Sequence, residues 1–143
     1  MEGNKPGITK KKLDELTYKV IGAAIEVQKH MGIGLLEGTY QKCFEQELKL
    51  QGLRSRTELV VPVIYKGVDI MADLRCDVLV EECLVVELKT VEKILPIHRA
   101  QLMSYMTLLK APKGILINFN SLNIFQLGQE TFVNDFYKDL PGE

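Results

Sequence analysis

Three charged residues lie in two neighbouring segments of the chain, and the second segment is otherwise apolar. Asp77 lies within residues 70–80, and Glu87 and Lys89 lie at the end of residues 83–89. Both segments are predicted to be β-strands, in which alternate side chains share a face, so Glu87 and Lys89 point to the same side. A buried carboxylate or ammonium group is costly unless it is paired or holds a metal. These residues therefore predict a site where charges are paired or a metal ion binds.

The Glu-Leu-Lys tripeptide alone does not establish such a site. The same three residues occur at Glu47-Leu48-Lys49, in a helical pattern where the charges are expected to be solvated. Short motifs of this kind arise often by chance. The copy at 87–89 differs in its context, because it ends an apolar strand and Asp77 precedes it across a predicted hairpin at Glu81-Glu82. The context, rather than the tripeptide, favours a functional interpretation.

Hydrophobic periodicity predicts the elements that position these residues. Apolar residues at steps of three and four predict a helix from Leu13 to about His30 and a second from Leu36 to a stop at Gly52. Further along, strands are predicted at 58–65, 70–80, 83–89, 115–117 and 124–127, with Pro62 marking an edge or a bulge. Two more helices are predicted, one over 96–109 and a short one carrying Val133, Phe136 and Leu140.

The order of these elements predicts an α/β fold, with a central mixed sheet flanked by helices. Residues 1–12 are polar and rich in lysine, and we interpret them as a flexible N-terminal arm. Residues 13–143 show no repeat, low-complexity tract or linker, which predicts a single domain.

The composition excludes several classes of protein. With 143 residues, 46% of them hydrophobic and 26% charged, the chain is typical of one soluble globular domain. No apolar run reaches the roughly 20 residues that cross a bilayer, and no secretory signal is visible, so a cytoplasmic location is predicted. The net charge is −1, but residues 67–92 carry seven acidic and two basic residues, giving −5 there and +4 elsewhere.

Further motifs occur in a fixed order around the acidic residues. They are GLLEGTY at 34–40, HRAQ at 98–101 with Tyr105 one helical turn beyond Gln101, and GILINF at 114–119. Asp77 followed by Glu87-x-Lys89 across a hairpin resembles the core signature of the PD-(D/E)XK phosphodiesterase superfamily. The Gln101 and Tyr105 pair resembles the QxxxY element of its exonuclease-type branch. The heptapeptide at 34–40 resembles the motif of the GxxExxY family, and the chain is identified as a member over about residues 13–120.

The resemblance implies a restriction-endonuclease-like core and a metal-dependent nuclease that hydrolyses DNA or RNA. It implies a site formed by Glu37, Asp77, Glu87, Lys89, Gln101 and Tyr105. Asp77, Glu87 and Glu37 would hold Mg²⁺ or Mn²⁺, because these ions prefer oxygen ligands. Lys89 would orient the attacking water or stabilise the developing charge. The chain departs from the family at Asn120, where a glycine is usual, and it lacks the family's basic C-terminal segment.

Several alternatives remain open on the sequence. The chain could be a non-catalytic module that keeps the nuclease fold and binds nucleic acid or a partner protein, or a hydrolase of another phosphoester. Its small size leaves little surface for a substrate, so a homodimer or a protein partner is a further hypothesis. Tyr40 fits either a core aromatic or a direct role, and His98 fits either a helix cap or a phosphate contact.

Overall fold

The computed structural model describes residues 7–143. The helices are α1 Lys10–Met31, α2 Glu37–Leu50, α3 Pro96–Leu109, α4 Ile124–Leu127 and α5 Asp135–Lys138. The strands are β1 Ser55–Val60, β2 Ile64–Tyr65, β3 Val68–Asp69, β4 Arg75–Val80, β5 Leu84–Lys89, β6 Lys113–Asn118 and β7 Gln129–Val133.

Five of the strands form one mixed sheet in the order β1-β4-β5-β6-β7. The β5–β6 pair is parallel and the other neighbours are antiparallel. The strands β2 and β3 form a separate antiparallel hairpin whose residues are all exposed. The predicted fold class, a central mixed sheet flanked by helices, is confirmed.

The two faces of the sheet bury different helices because the strand residues alternate. Val86 and Leu88 of β5 pack in a core with α1 and α2, whereas Val85 packs on the opposite face with α3. The contact with α3 is close, since a Cβ added to Gly114 of β6 would lie 2.6 Å from the Sδ atom of Met106. Glu87 and Lys89 follow Val85 at steps of two, so they lie on the α3 face.

The predicted hairpin between β4 and β5 is present. Its turn residues Glu81 and Glu82 both have a positive φ, 50° and 59°, as a type I′ turn requires. Neither residue is glycine, and the strained turn is held by ion pairs from β1 and from the residue that precedes it. Glu81 accepts hydrogen bonds from the main-chain N–H and the guanidinium of Arg54, at 2.7 and 2.9 Å, and Glu82 pairs with Arg56.

The first helix begins earlier than predicted, so part of the predicted arm is helical. Residues 1–6 lie outside the described residues, but Lys10 already belongs to α1. The hydroxyl of Thr9 accepts the N–H of Lys12 at 3.1 Å. The N–H groups of Lys10 and Lys11 donate to the carbonyls of Pro141 and Gly142. The start of the helix is therefore fixed by a cap and by the C-terminal segment, a pairing that periodicity does not show.

Three predicted strands also differ from the structure. The strand predicted at 70–80 begins only at Arg75. The strand predicted at 58–65 begins at Ser55 and ends before Pro62, which lacks an N–H to continue the ladder. The segment 124–127 is a helical turn, because Asn123 caps it by accepting the N–H of Gln126 at 3.0 Å. The last strand is Gln129–Val133, so Val133 belongs to it and not to the terminal helix.

Within residues 7–143, no helix is both long and apolar enough to cross a membrane.

Candidate active site

Asp77 and Glu87 lie where the ladder between β4 and β5 stops. The last paired residues are Val78 and Val86. Beyond them, the Glu87 carboxylate accepts the main-chain N–H of Asp77 at 2.9 Å, and the Asp77 carboxylate accepts the N–H of Leu88 at 2.8 Å. The two side chains thus take the place of the carbonyls that would continue the ladder. Each acid is fixed by the opposite strand.

This arrangement disfavours the ionised forms of Asp77 and Glu87, because burial removes water from their carboxylates. Glu87 is only 3% exposed, and Asp77 is half-buried. Burial raises the pKa of Glu87 to about 8, and the charge of Asp77 adds to the shift. Burial likewise raises the pKa of Asp77 to about 6, against the hydrogen bond from Leu88, which lowers it. A cation beside the pair would favour the ionised forms of both acids.

Lys89 and Glu37 contribute charge to the same place. Lys89 is half-buried at the end of β5, and its charge lowers the pKa of Glu87 and of Asp77 without offsetting their burial. Glu37 is the first residue of α2, and its charge raises both of these pKa values. Four predicted site residues, from α2 and two strands, therefore lie near enough for their charges to interact.

The acids do not form a closed metal cage. Within residues 7–143, no three His, Cys, Asp or Glu side chains are grouped so that they could hold a metal ion. The Asp77 and Glu87 carboxylates each have a second oxygen, Oδ1 and Oε1, that makes no hydrogen bond within this range. Two hard oxygen donors with raised pKa values fit a divalent ion such as Mg²⁺ or Mn²⁺. The role of Glu37 as a third ligand stays a prediction.

Tyr105 and Gln101 are placed differently, although both lie on α3. Tyr105 is buried, and burial followed by the charge of Glu87 raises the pKa of its hydroxyl. The Tyr105 hydroxyl is therefore near enough to the acidic pair for its pKa to respond to their charge. Gln101 is exposed one turn earlier, and its side chain makes no hydrogen bond within the described part of the chain. A role for Gln101 therefore depends on a bound substrate.

Glu58 is a further acid at this site that the sequence did not indicate. The pairs Thr57–Val78 and Leu59–Cys76 flank it in the β1–β4 ladder, so Glu58 stands opposite Asp77. Its charge contributes to the raised pKa of Asp77, after burial and Glu37. Its φ of 51° is unusual for a strand residue other than glycine, and such strain is common at functional sites. Only the pairing of β1 with β4 reveals this position.

Tyr40 and His98 have structural roles. The Tyr40 hydroxyl donates to the Gly32 carbonyl at 2.6 Å and accepts the Leu35 N–H at 3.3 Å. Its ring is fully buried and stacks on Phe119, with the ring centroids 4.5 Å apart. Tyr40 therefore holds the loop that precedes Glu37. His98 Nδ1 accepts the Leu95 N–H at 2.9 Å, which caps the start of α3.

We expect Tyr40→Phe to destabilise the fold without removing the site. The substitution leaves the ring stacking intact but unpairs the Gly32 carbonyl and the Leu35 N–H, which costs about 1–3 kcal/mol of unfolding free energy. Denaturant titration measures this loss, and Tyr18→Phe, at a tyrosine that is 70% exposed, is the matched control. Wild-type stability together with loss of activity in Tyr40→Phe would instead indicate a direct role.

Comparison with known proteins agrees with this geometry. Residues 14–130 match the sequence model of the PD-(D/E)XK nuclease superfamily, a range that includes every residue of the candidate site. Nucleases of this superfamily generally use divalent metal ions. No curated protein and no solved structure shows significant similarity to the chain. Because the match covers most of its length, the chain belongs to the PD-(D/E)XK nuclease superfamily.

Proposed function

We propose that this protein is a metal-dependent nuclease that hydrolyses phosphodiester bonds of DNA or RNA, in the GxxExxY branch of the superfamily. The observation that carries the proposal is the Asp77–Glu87 pair. The buried Glu87 carboxylate and the half-buried Asp77 carboxylate lie at the end of a ladder. Each has one oxygen fixed by a main-chain N–H and one that makes no hydrogen bond within residues 7–143 and could bind an ion. Lys89 lies beside them on the same face of β5.

Each residue of the candidate site has a separate role in the proposed reaction. Asp77 and Glu87 would hold Mg²⁺ or Mn²⁺. Glu37 would have to move in as the third ligand when the ion binds, because the three acids are not grouped in the structure of residues 7–143. When bound, the ion would neutralise phosphoryl charge and make a water molecule more acidic. Lys89 would orient that water or stabilise the charge that develops on the phosphate. Tyr105 and Gln101 would contact the substrate from α3.

The charge distribution supports an ion-dependent mode of substrate binding. Residues 67–92 carry a local charge of −5, which repels phosphate when no metal is bound. A bound divalent ion would invert the potential at the site. The remaining residues, with a net charge of +4, would add weak attraction around it. Substrate binding is therefore expected to depend on the divalent ion more than on a basic surface.

We expect the purified wild-type chain to cleave nucleic acid only when a divalent ion is present. The assay compares single-stranded, duplex and branched DNA, and RNA, with Mg²⁺, with Mn²⁺ and with a chelator. The ion alone should also raise the melting temperature, because it binds the folded site and relieves the buried charge. Absence of cleavage on all substrates, with no metal-induced shift in melting temperature, would contradict the proposal.

One observation favours a second function. Since no group of three potential metal ligands forms within residues 7–143, the fold could serve as a non-catalytic module that binds nucleic acid or a partner protein. A second copy of the chain is one such partner. Such a module would bind its ligand equally well with a chelator present, and Lys89→Met would leave that binding unchanged.

A further inference from the structure

The side chain of Asn118 holds the segment that follows Lys89. Its Oδ1 atom accepts the N–H of Val91 at 3.2 Å, and its Nδ2 atom donates to the carbonyl of Val91 at 2.8 Å. Oδ1 also accepts the N–H of Asn120 at 3.1 Å. An amide side chain carries both a donor and an acceptor. Asn118 thus pairs with Val91 as a neighbouring strand would.

This contact lies next to Lys89 in the sheet. Asn118 is the parallel partner of Lys89, so the two side chains project from the same face. The N–H of Phe119 donates to the Lys89 carbonyl at 2.8 Å, which is the last main-chain bond of this ladder. Beyond it, residues 90–94 form neither helix nor strand. Asn118 therefore extends the order of β5 past its last regular residue.

Packing alone does not fix residues 90–94 as firmly as the hydrogen bonds of Asn118 do. A polar cavity of about 330 Å³ lies beside it, lined in part by Glu92, Lys93 and Asn118. Glu92 and Lys93 face solvent, whereas Asn118 is only 7% exposed. The segment has room to move into the cavity, and the two hydrogen bonds of Asn118 to Val91 oppose that movement.

We propose that Asn118 is a positioning residue for Lys89. It touches neither the metal ligands nor the reacting atoms; it fixes the main chain two residues beyond Lys89 and thereby the direction in which the lysine side chain leaves β5. This inference rests on the proposed nuclease function, because it assigns Lys89 a task that requires accurate placement. A misplacement of about 1 Å can cost about 100-fold in rate.

The test compares Asn118→Ala with Asn134→Ala in cleavage and metal-binding assays. Asn134 is a matched control, since its amide donates to the Ala111 carbonyl at 2.9 Å and accepts the Tyr137 N–H at 3.3 Å, away from the site. We expect Asn118→Ala to lower kcat by about 10- to 100-fold, with KM and the metal-induced shift in melting temperature unchanged. Asn118→Asp keeps the acceptor but sets a carboxylate oxygen against the Val91 carbonyl, so it should lower kcat at least as much; it keeps the side-chain shape and guards against failure of the alanine variant to fold.

Amide hydrogen exchange gives a readout that does not need substrate. The N–H of Val91 should exchange about tenfold faster in Asn118→Ala, whereas the N–H of Val85, inside β5, should not change. Equal kcat in Asn118→Ala and Asn134→Ala, or unchanged exchange at Val91, would overturn the inference. Absence of cleavage by the wild type would overturn the nuclease function and with it the catalytic role of Asn118, while the exchange data would still decide whether Asn118 holds Val91.

Discussion

Glu87→Gln is expected to slow cleavage by about a thousandfold and, at the same time, to stabilise the metal-free protein at pH 8. Glutamine keeps the side-chain oxygen that accepts the Asp77 N–H, so the connection between the strands persists. It removes a carboxylate that is 3% exposed and carries a charge that burial disfavours. Loss of an ion ligand removes several kcal/mol of transition-state stabilisation, which corresponds to about a thousandfold in rate.

The stability difference should depend on pH in a defined direction. The pKa of Glu87 is raised to about 8 in the folded protein, whereas the pKa of a glutamate in an unfolded chain is about 4.3. The folded state therefore binds more protons than the unfolded state in this interval, and the unfolding free energy of the wild type falls as the pH rises through it. Glutamine does not titrate, so the variant should be more stable than the wild type by several kcal/mol at pH 8 and nearly equal to it near pH 4.

Denaturant unfolding at several pH values, with and without Mg²⁺, checks this expectation. Mg²⁺ should stabilise the wild type more than Glu87→Gln, because the variant has lost one ligand. The chain supplies its own control in Glu47→Gln, a change in the identical tripeptide on α2, where Glu47 pairs with the side chain of Gln51. Equal pH dependence of Glu87→Gln and the wild type would contradict the buried-charge explanation.

Lys89→Met is expected to separate catalysis from metal binding. The methionine keeps much of the apolar stem but removes the cation, so kcat should fall by about 100- to 1,000-fold. Metal-induced stabilisation should persist, since Asp77 and Glu87 are unchanged. The charge of Lys89 lowers the pKa of both acids, so its removal should also make the metal-free protein less stable at pH 8 than the wild type.

Single-turnover cleavage and thermal unfolding measure these two effects separately. Lys49→Met is the control, because Lys49 is the last residue of the other Glu-Leu-Lys tripeptide, at 47–49, and is exposed on α2. A Lys89→Met variant with wild-type kcat would exclude the lysine from the reaction. A variant that loses its response to Mg²⁺ would show instead that Lys89 holds the site together.

The central part of the site was predictable because it depends on local order. The alternation of β5 places Glu87 and Lys89 on one face, and the turn at Glu81-Glu82 returns Asp77 to them. Glu58 was not predictable, because its place opposite Asp77 depends on the pairing of β1 with β4. Such long-range register leaves no periodic signal in the chain.

Local patterns were ambiguous where short apolar segments fit two structures. The four residues 124–127 suit a strand or a helical turn, and the side chain of Asn123 decides for the helix. Tyr40 shares a helical face with Glu37, which fits both a core and a catalytic role. Its hydrogen bond to Gly32 and its stacking on Phe119 assign it to the core, and neither contact is visible in the spacing.

The hydrogen bonds that the Asp77 and Glu87 carboxylates accept from each other's strands limit which substitutions can accumulate at these positions during evolution. Each carboxylate accepts an N–H of the opposite strand, so the two acids close the sheet in addition to the ion binding proposed for them. A descendant that lost activity would still need acceptors at these two positions. On the proposed nuclease function, Asn at 77 and Gln at 87 are therefore expected in a relative that has lost activity but kept the sheet. Small apolar residues there would leave the N–H groups of residues 77 and 88 without these acceptors.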